Sequence, residues 1–144
     1  MKNIFKTETV TEVVQRINAL NKNTEPNWGK MSVNQMLAHC NVTYETVYED
    51  NHAKPNFFMK FILKKMVKPK VVSEIPYPKN GQTAPHFVIK GSRDFDKEKT
   101  RLLDYIERTK LLGEEHFNGK ESHSFGTLSL VEWNNLFSNI LTII

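Results

Sequence analysis

Apolar residues recur at three- and four-residue steps through most of this chain, the period of helices with one buried face. The stretch "TETVTEVVQRINAL" sets Val10, Val13, Val14, Ile17 and Leu20 on one stripe, with Thr7 and Glu8 available for the first turn. A polar loop over 21–27, closing in Pro26, follows it. In "MSVNQMLAHCNVTYETVYED" the stripe is Val33, Met36, Leu37, Cys40, Tyr44 and Val47. Ser32 with Gln35 three residues later makes a capping box at its start. A third helix is predicted over 56–67, ended by the Lys68–Pro69 step. The next helix lies in "DFDKEKTRLLDYIERTKLLG", with acidic residues in its first turn, Leu102, Leu103, Ile106 and Leu111 on its inner face, and Gly113 as its stop. A second capping box, Ser129 with Glu132, opens a last helix whose stripe is Trp133, Leu136, Phe137, Ile140, Leu141 and Ile144.

Two stretches break the pattern. Over 71–91 the residues Pro76, Pro78, Gly81, Pro85 and Gly91 exclude a helix, so a long ordered loop is expected, with a short strand at 86–89. Loops of that length in compact domains are often functional. "EEHFNGKESHSFGTL" reads as a second loop. The pattern as a whole predicts an all-α bundle of four long helices and a shorter one, in a single domain over 1–144.

Composition narrows the functional classes. Of 144 residues, 39% are apolar and 25% charged, the balance of an ordinary globular domain. Cys40 stands alone, which excludes an internal disulfide and a multi-cysteine zinc site, and a reducing cytoplasm is the simplest compartment. The start "MKNIFKTETV" is charged where a signal peptide needs an apolar run. The net charge is +4, with Lys60, Lys64, Lys65, Lys68 and Lys70 concentrated on the third helix opposite Phe57, Phe58, Phe61 and Ile62. Three readings rank in order: a core helix with a solvated lysine face, a helix at an interface or membrane surface, and a nucleic-acid surface. Neither nucleic acid nor membrane is therefore the expected partner.

No pair of the five histidines has the spacing that sets two metal ligands on one helix face, and no nucleophile elbow or phosphate loop is present. His39 lies about 120° from the centre of its helix's apolar stripe, at 100° per residue, on the edge of the buried face. It either points into a cleft between helices or bonds a neighbouring carbonyl, as partly buried histidines commonly do. Cys40 reads as a small core residue rather than a nucleophile. His123, in "ESHSFG", orders its loop or faces a ligand; His52 and His116 read as surface residues; His86 fits either side.

Three segments together resemble a known family: "WGKMSVNQMLAHCN" at 28–41, "SEIPYPKNGQTAPHFVI" at 73–89 and "ESHSFGTLSLVEWNNL" at 121–136. They are similar to the DinB-like (YfiT-like) superfamily of metal-binding four-helix bundles, to a branch of it without an assigned reaction, over about 5–137. The resemblance implies an up-down-down-up bundle with an extra short helix and a long ordered loop. It also implies a divalent metal of nickel or zinc type, held by one histidine of the second helix and histidines of the last. Some members of the superfamily are thiol transferases acting with low-molecular-weight thiols, and others resemble hydrolases. By position, His39 matches the second-helix ligand and His123 the histidine before the last helix.

The family pattern continues after "EWNNLF" into His-Leu-Asp-His-His, where this chain has Ile140, Leu141, Thr142, Ile143 and Ile144. Codons able to encode Ile-Leu-Thr-Ile-Ile contain Phe-Asp-His-His in another frame. The expectation is a last helix truncated or frameshifted after about residue 137, with the family's metal absent or weakly bound. Two functions follow. The first is a metal-dependent enzyme acting near His39; the second is a non-catalytic bundle binding a small ligand or a partner through a pocket lined by His123, Trp28, Tyr77 and His86, with Trp28 or Trp133 as a wall. A basic surface module around the lysines comes third. A homodimer would cover the apolar end of the last helix.

Overall fold

The computed structural model describes residues 3–25, 31–74, 93–142 and 144. Trp28, Tyr77, His86 and the strand expected at 86–89 lie outside the described residues. Within them the chain is all-α. Five helical segments follow one another: α1 (Thr7–Asn18), α2 (Val33–Tyr48), α3 (57–71), α4 (Phe95–Phe117) and α5 (Leu130–Leu141). No strand occurs among the described residues, only an isolated antiparallel bridge between Glu121 and Thr127.

Both expected capping boxes form. Ser32 Oγ accepts from the Gln35 amide at 3.2 Å while the Ser32 amide donates to Gln35 Oε1 at 3.1 Å. Ser129 and Glu132 make the same pair of bonds at 3.2 and 3.0 Å. Each satisfies two amide donors that a helix start leaves orphaned.

The predicted stripes meet in one core. α2 and α1 both pack against α4, and α5 contacts α2 and α4. Tyr44 stacks between Tyr105 and Phe137, at centroid distances of 5.6 and 5.0 Å. Phe117 meets Trp133 and Phe137 edge-on at 5.3 and 5.5 Å, arrangements the ring quadrupole favours.

The structure corrects four expectations. Leu111 is 76% exposed rather than on the inner face of α4. Nine residues at 100° each set it half a turn from Leu102, and Tyr105, Ile106 and Thr109 line that face instead. Gly113 interrupts α4, with φ 79° and ψ 177°, but a further helical turn reaches Phe117, where a loop was expected. The burial of Phe117 in the aromatic core anchors that turn.

The third helix does not stop before Pro69. It runs as an α-helix over Phe57–Ile62, a π turn over Leu63–Val67 and a last turn over Lys68–Val71. In the π turn the Lys68 amide reaches back to the Leu63 carbonyl. That wider turn relieves the clash that a proline ring makes with the carbonyl four residues earlier. Finally, α3 is not a core helix: it has no fully buried residue, and Phe57, Phe58, Phe61 and Met66 are all exposed. Periodicity reports that a helix is amphipathic, not that its apolar side is covered.

What positions the site is the way α3 and the 118–129 loop are tied to α5. Asn135 Nδ2 donates to the Val72 carbonyl at 2.9 Å, and Asn139 Nδ2 to those of Val71 and Ser73 at 3.1 and 2.8 Å. Two side chains one helical turn apart thus take up carbonyls at the C-terminal end of α3, which the helix itself leaves unsatisfied.

Candidate functional site

A groove of about 300 Å³ opens between the C-terminal end of α2, the segment leading into α3 and the 118–129 loop. α2 and the residues just after it contribute Thr46, Val47, Glu49 and Asp50. Lys54, Pro55 and Lys60 form the second side. Lys120, Glu121, Ser122 and His123 form the third, and Trp133 of α5 closes the base. The lining carries both signs of charge around one aromatic residue.

The 118–129 loop is shaped by its own main chain. The Gly119 amide donates to the Leu128 carbonyl at 2.9 Å and the Leu128 amide to the Lys120 carbonyl at 3.1 Å. Ser122 closes the tip: its amide and its hydroxyl both donate to the Gly126 carbonyl at 2.7 Å. Gly126, at φ 70°, supplies the left-handed turn this closure needs. Leu128 is fully buried and pins the loop to the core. Trp133 Nε1 donates to the Lys120 carbonyl at 3.1 Å, so the indole anchors the groove's third side while flooring it.

His123 is held at both nitrogens. Its Nε2 lies 3.1 Å from the His52 carbonyl, which only accepts, so Nε2 carries the proton. Its Nδ1 lies 2.7 Å from Ser124 Oγ. His52 itself is not the free surface residue expected from sequence. Its Nε2 lies 2.8 Å from Glu45 Oε1 on α2.

Behind this wall runs a buried polar chain that sequence reading missed. Arg101 of α4 pairs with Glu45 through one nitrogen and with Glu98 through the other, the second at 2.9 Å. Asn41 Nδ2 donates to Glu98 Oε2 at 2.9 Å and to the Glu98 carbonyl at 3.0 Å. Burial works against the charge on Arg101, but hydrogen bonds to Glu45 and Tyr105 and the charges of Glu45 and Glu98 hold its pKa above the ordinary value. Tyr105 in turn donates to Glu49 Oε1, on the groove wall, at 3.1 Å. Its own pKa is raised, chiefly by burial. The signal was present as spacing: Asn41 and Glu45 share one face of α2, and Glu98 and Arg101 one face of α4.

At the rim, Lys60 Nζ donates to Glu121 at 3.1 Å and lowers the pKa of that exposed carboxyl. Cys40 is fully buried, donates weakly to the Ile140 carbonyl at 3.5 Å, and has its pKa pushed up to about 12 by burial. It is a core thiol, not a nucleophile. His39 is buried on α2 and does not line the groove. Seven residues of helix, about 10 Å, separate it from Thr46 at the groove edge.

The divalent metal implied by the family resemblance meets a poor donor set here. Among the described residues no three His, Cys, Asp or Glu side chains are grouped to hold a metal ion. Both ring nitrogens of His123 have protein partners, and Ile140 and Leu141 are buried apolar side chains. These residues do not fit such an ion. No helix among the described residues is long and apolar enough to cross a membrane. No family model, curated protein or solved structure matches the chain.

Proposed function

We propose that this chain is a non-catalytic, small-ligand-binding protein of DinB-like architecture, with the groove beside His123 as its binding site. In this reading α1, α2, α4 and α5 are the four long helices of an up-down-down-up bundle and α3 is the extra one. The packing of α1 and α2 on α4, and of α5 on α2 and α4, supports that arrangement. The observation that carries the ligand-binding reading is the lining of the groove: Lys54 and Lys120 offer cationic groups, Glu49 and Asp50 anionic ones, and Trp133 an aromatic base. A small molecule bearing both an acidic and a basic group matches that lining. Pockets between helices are common binding sites, and a few fixed polar groups set their specificity.

The test is a titration followed by amide and indole NMR shifts, with L-glutamate, L-cysteine and taurine as probes, with and without excess chelator. Shifts confined to Glu49, Asp50, Lys120, His123 and the Trp133 indole are expected from at least one probe. Shifts spread evenly over the surface, or none, would reject the groove as a site. Binding that chelator abolishes would transfer the assignment to a metal-dependent protein.

A further inference from the structure

The outer side of α3 combines two features. Phe57, Phe58, Met66 and Phe61 are 90, 70, 67 and 55% exposed, a concentration of large apolar side chains rare on a protein surface without a role. The same segment is strongly basic. Between Asp50 and Glu74 the sequence has no acidic residue and six lysines.

These lysines divide by direction. Lys60 and Lys68 turn to the body of the protein, pairing with Glu121 at 3.1 Å and Glu132 at 3.4 Å. Lys64 lays its side chain beside Gly126 of the 118–129 loop, while Lys65 and Lys70 stay exposed, with Lys65 Nζ 5.4 Å from the Phe61 ring centre. Ile62, Leu63 and Val67 are half-buried on the inner side, and Asn135 and Asn139 hold the far end. α3 is therefore a fixed ridge that presents phenylalanines and ammonium groups together.

We infer that α3 is a docking surface for anionic membrane lipid, with the phenylalanines entering the headgroup boundary and the lysines meeting lipid phosphates. Charge complementarity selects this occupant. A second copy of the chain on the same face would set Lys65 and Lys70 against their own equivalents. Protein interfaces deplete lysine at their centres, whereas helices that lie in a membrane surface combine Phe with Lys. Such a helix lies in the interface plane and does not span it.

The experiment is co-sedimentation of the full chain with vesicles of equal parts phosphatidylglycerol and phosphatidylcholine, and with vesicles of phosphatidylcholine alone. Binding to the anionic vesicles only, weakening with added salt, is expected. The double variants Phe57→Ser with Phe58→Ser, and Lys65→Glu with Lys70→Glu, should each weaken it by roughly tenfold or more. Both should melt like the parent, because the replaced side chains are exposed. No sedimentation, equal sedimentation with both vesicles, or anionic binding untouched by the phenylalanine variant would each overturn the inference. So would a dimer, seen by light scattering, that the phenylalanine variant converts to monomer.

Discussion

His123 Nε2 donates to the main-chain carbonyl of His52 across 3.1 Å, joining the 118–129 loop to the segment between α2 and α3. Seventy-one residues separate the two in sequence. The bond holds two sides of the groove at a fixed spacing, and it makes His123 a positioning residue for both.

His123→Ala removes that bond and the contact with Ser124 Oγ, at an expected cost of about 1 kcal/mol. Because the site is half-buried, water replaces part of what is lost. The effect on the groove should exceed the effect on stability. Amide exchange over 119–127 is expected to speed up while that of α2 and α4 stays as in the parent. A change spread equally over all helices would show that His123 serves the core rather than the loop.

Arg101 stands between two carboxylates that have little access to water, with the Glu45 and Glu98 side chains 11 and 4% exposed. Arg101→Ala leaves both without their cation. Removing one partner of a buried ionic group costs about 3–5 kcal/mol, and the partial exposure of Arg101 points to the lower end. Urea unfolding of the parent, Arg101→Ala and Arg101→Met measures it. Arg101→Met keeps the stem without the charge, so a methionine variant as stable as the parent would mean that Arg101 acts by packing its stem, not by its charge.

The capping boxes at Ser32 and Ser129 were legible because both partners lie three residues apart, and the stripes of α1, α2 and α5 because period alone sets them. The Arg101 network was not. Glu98 is a neighbour on the same helix, but Glu45 lies 56 residues from Arg101 and Asn41 57 from Glu98, and only the packing of α2 on α4 brings them together. α3 was misread for a related reason: its spacing is that of a core helix, but nothing local says that Phe57 and Phe58 stay uncovered. Of the candidate site, His123 and Trp133 were named from sequence, whereas Glu49, Lys54 and Lys120 were not. Charged residues near helix ends look alike until the fold shows which share a groove.

Cys40 gives an alkaline signature. Its thiol has an ordinary pKa of 9.0 and about 12 in the folded protein, so above pH 9 the unfolded chain loses a proton that the folded chain keeps. With fewer protons on the unfolded state, stability falls as pH rises. The slope should approach about 1.4 kcal/mol per pH unit once the unfolded thiol is ionised. Burial also raises Tyr44, Tyr48 and Tyr105, which add to the same trend from pH 10 upward. Cys40→Ala should therefore flatten the stability curve between 9 and 10 and leave the steeper fall above it. An unchanged slope in that variant would assign the whole trend to the tyrosines.

Asn139 is the least conspicuous of the residues that build this molecule. It is fully buried on α5 although it lies off the apolar stripe of Phe137 and Ile140, on the side turned to the end of α3. Its amide donates to the Val71 and Ser73 carbonyls, beyond which α3 has no further turn to satisfy them. Asn139→Leu would keep the site apolar and similar in size and still destabilise the protein. It would leave two carbonyls without donors, each worth about 1–3 kcal/mol where water cannot replace the bond. The loss should concentrate at the end of α3, just beyond Met66 of the exposed ridge. Hydrogen exchange over 66–73 is expected to rise well before global unfolding in this variant, and Asn135→Leu should add to it less than additively, since the two amides share one helix end. Exchange that rises only with global unfolding would mean that α3 is held by its apolar inner side, and that Asn139 merely avoids being unsatisfied itself.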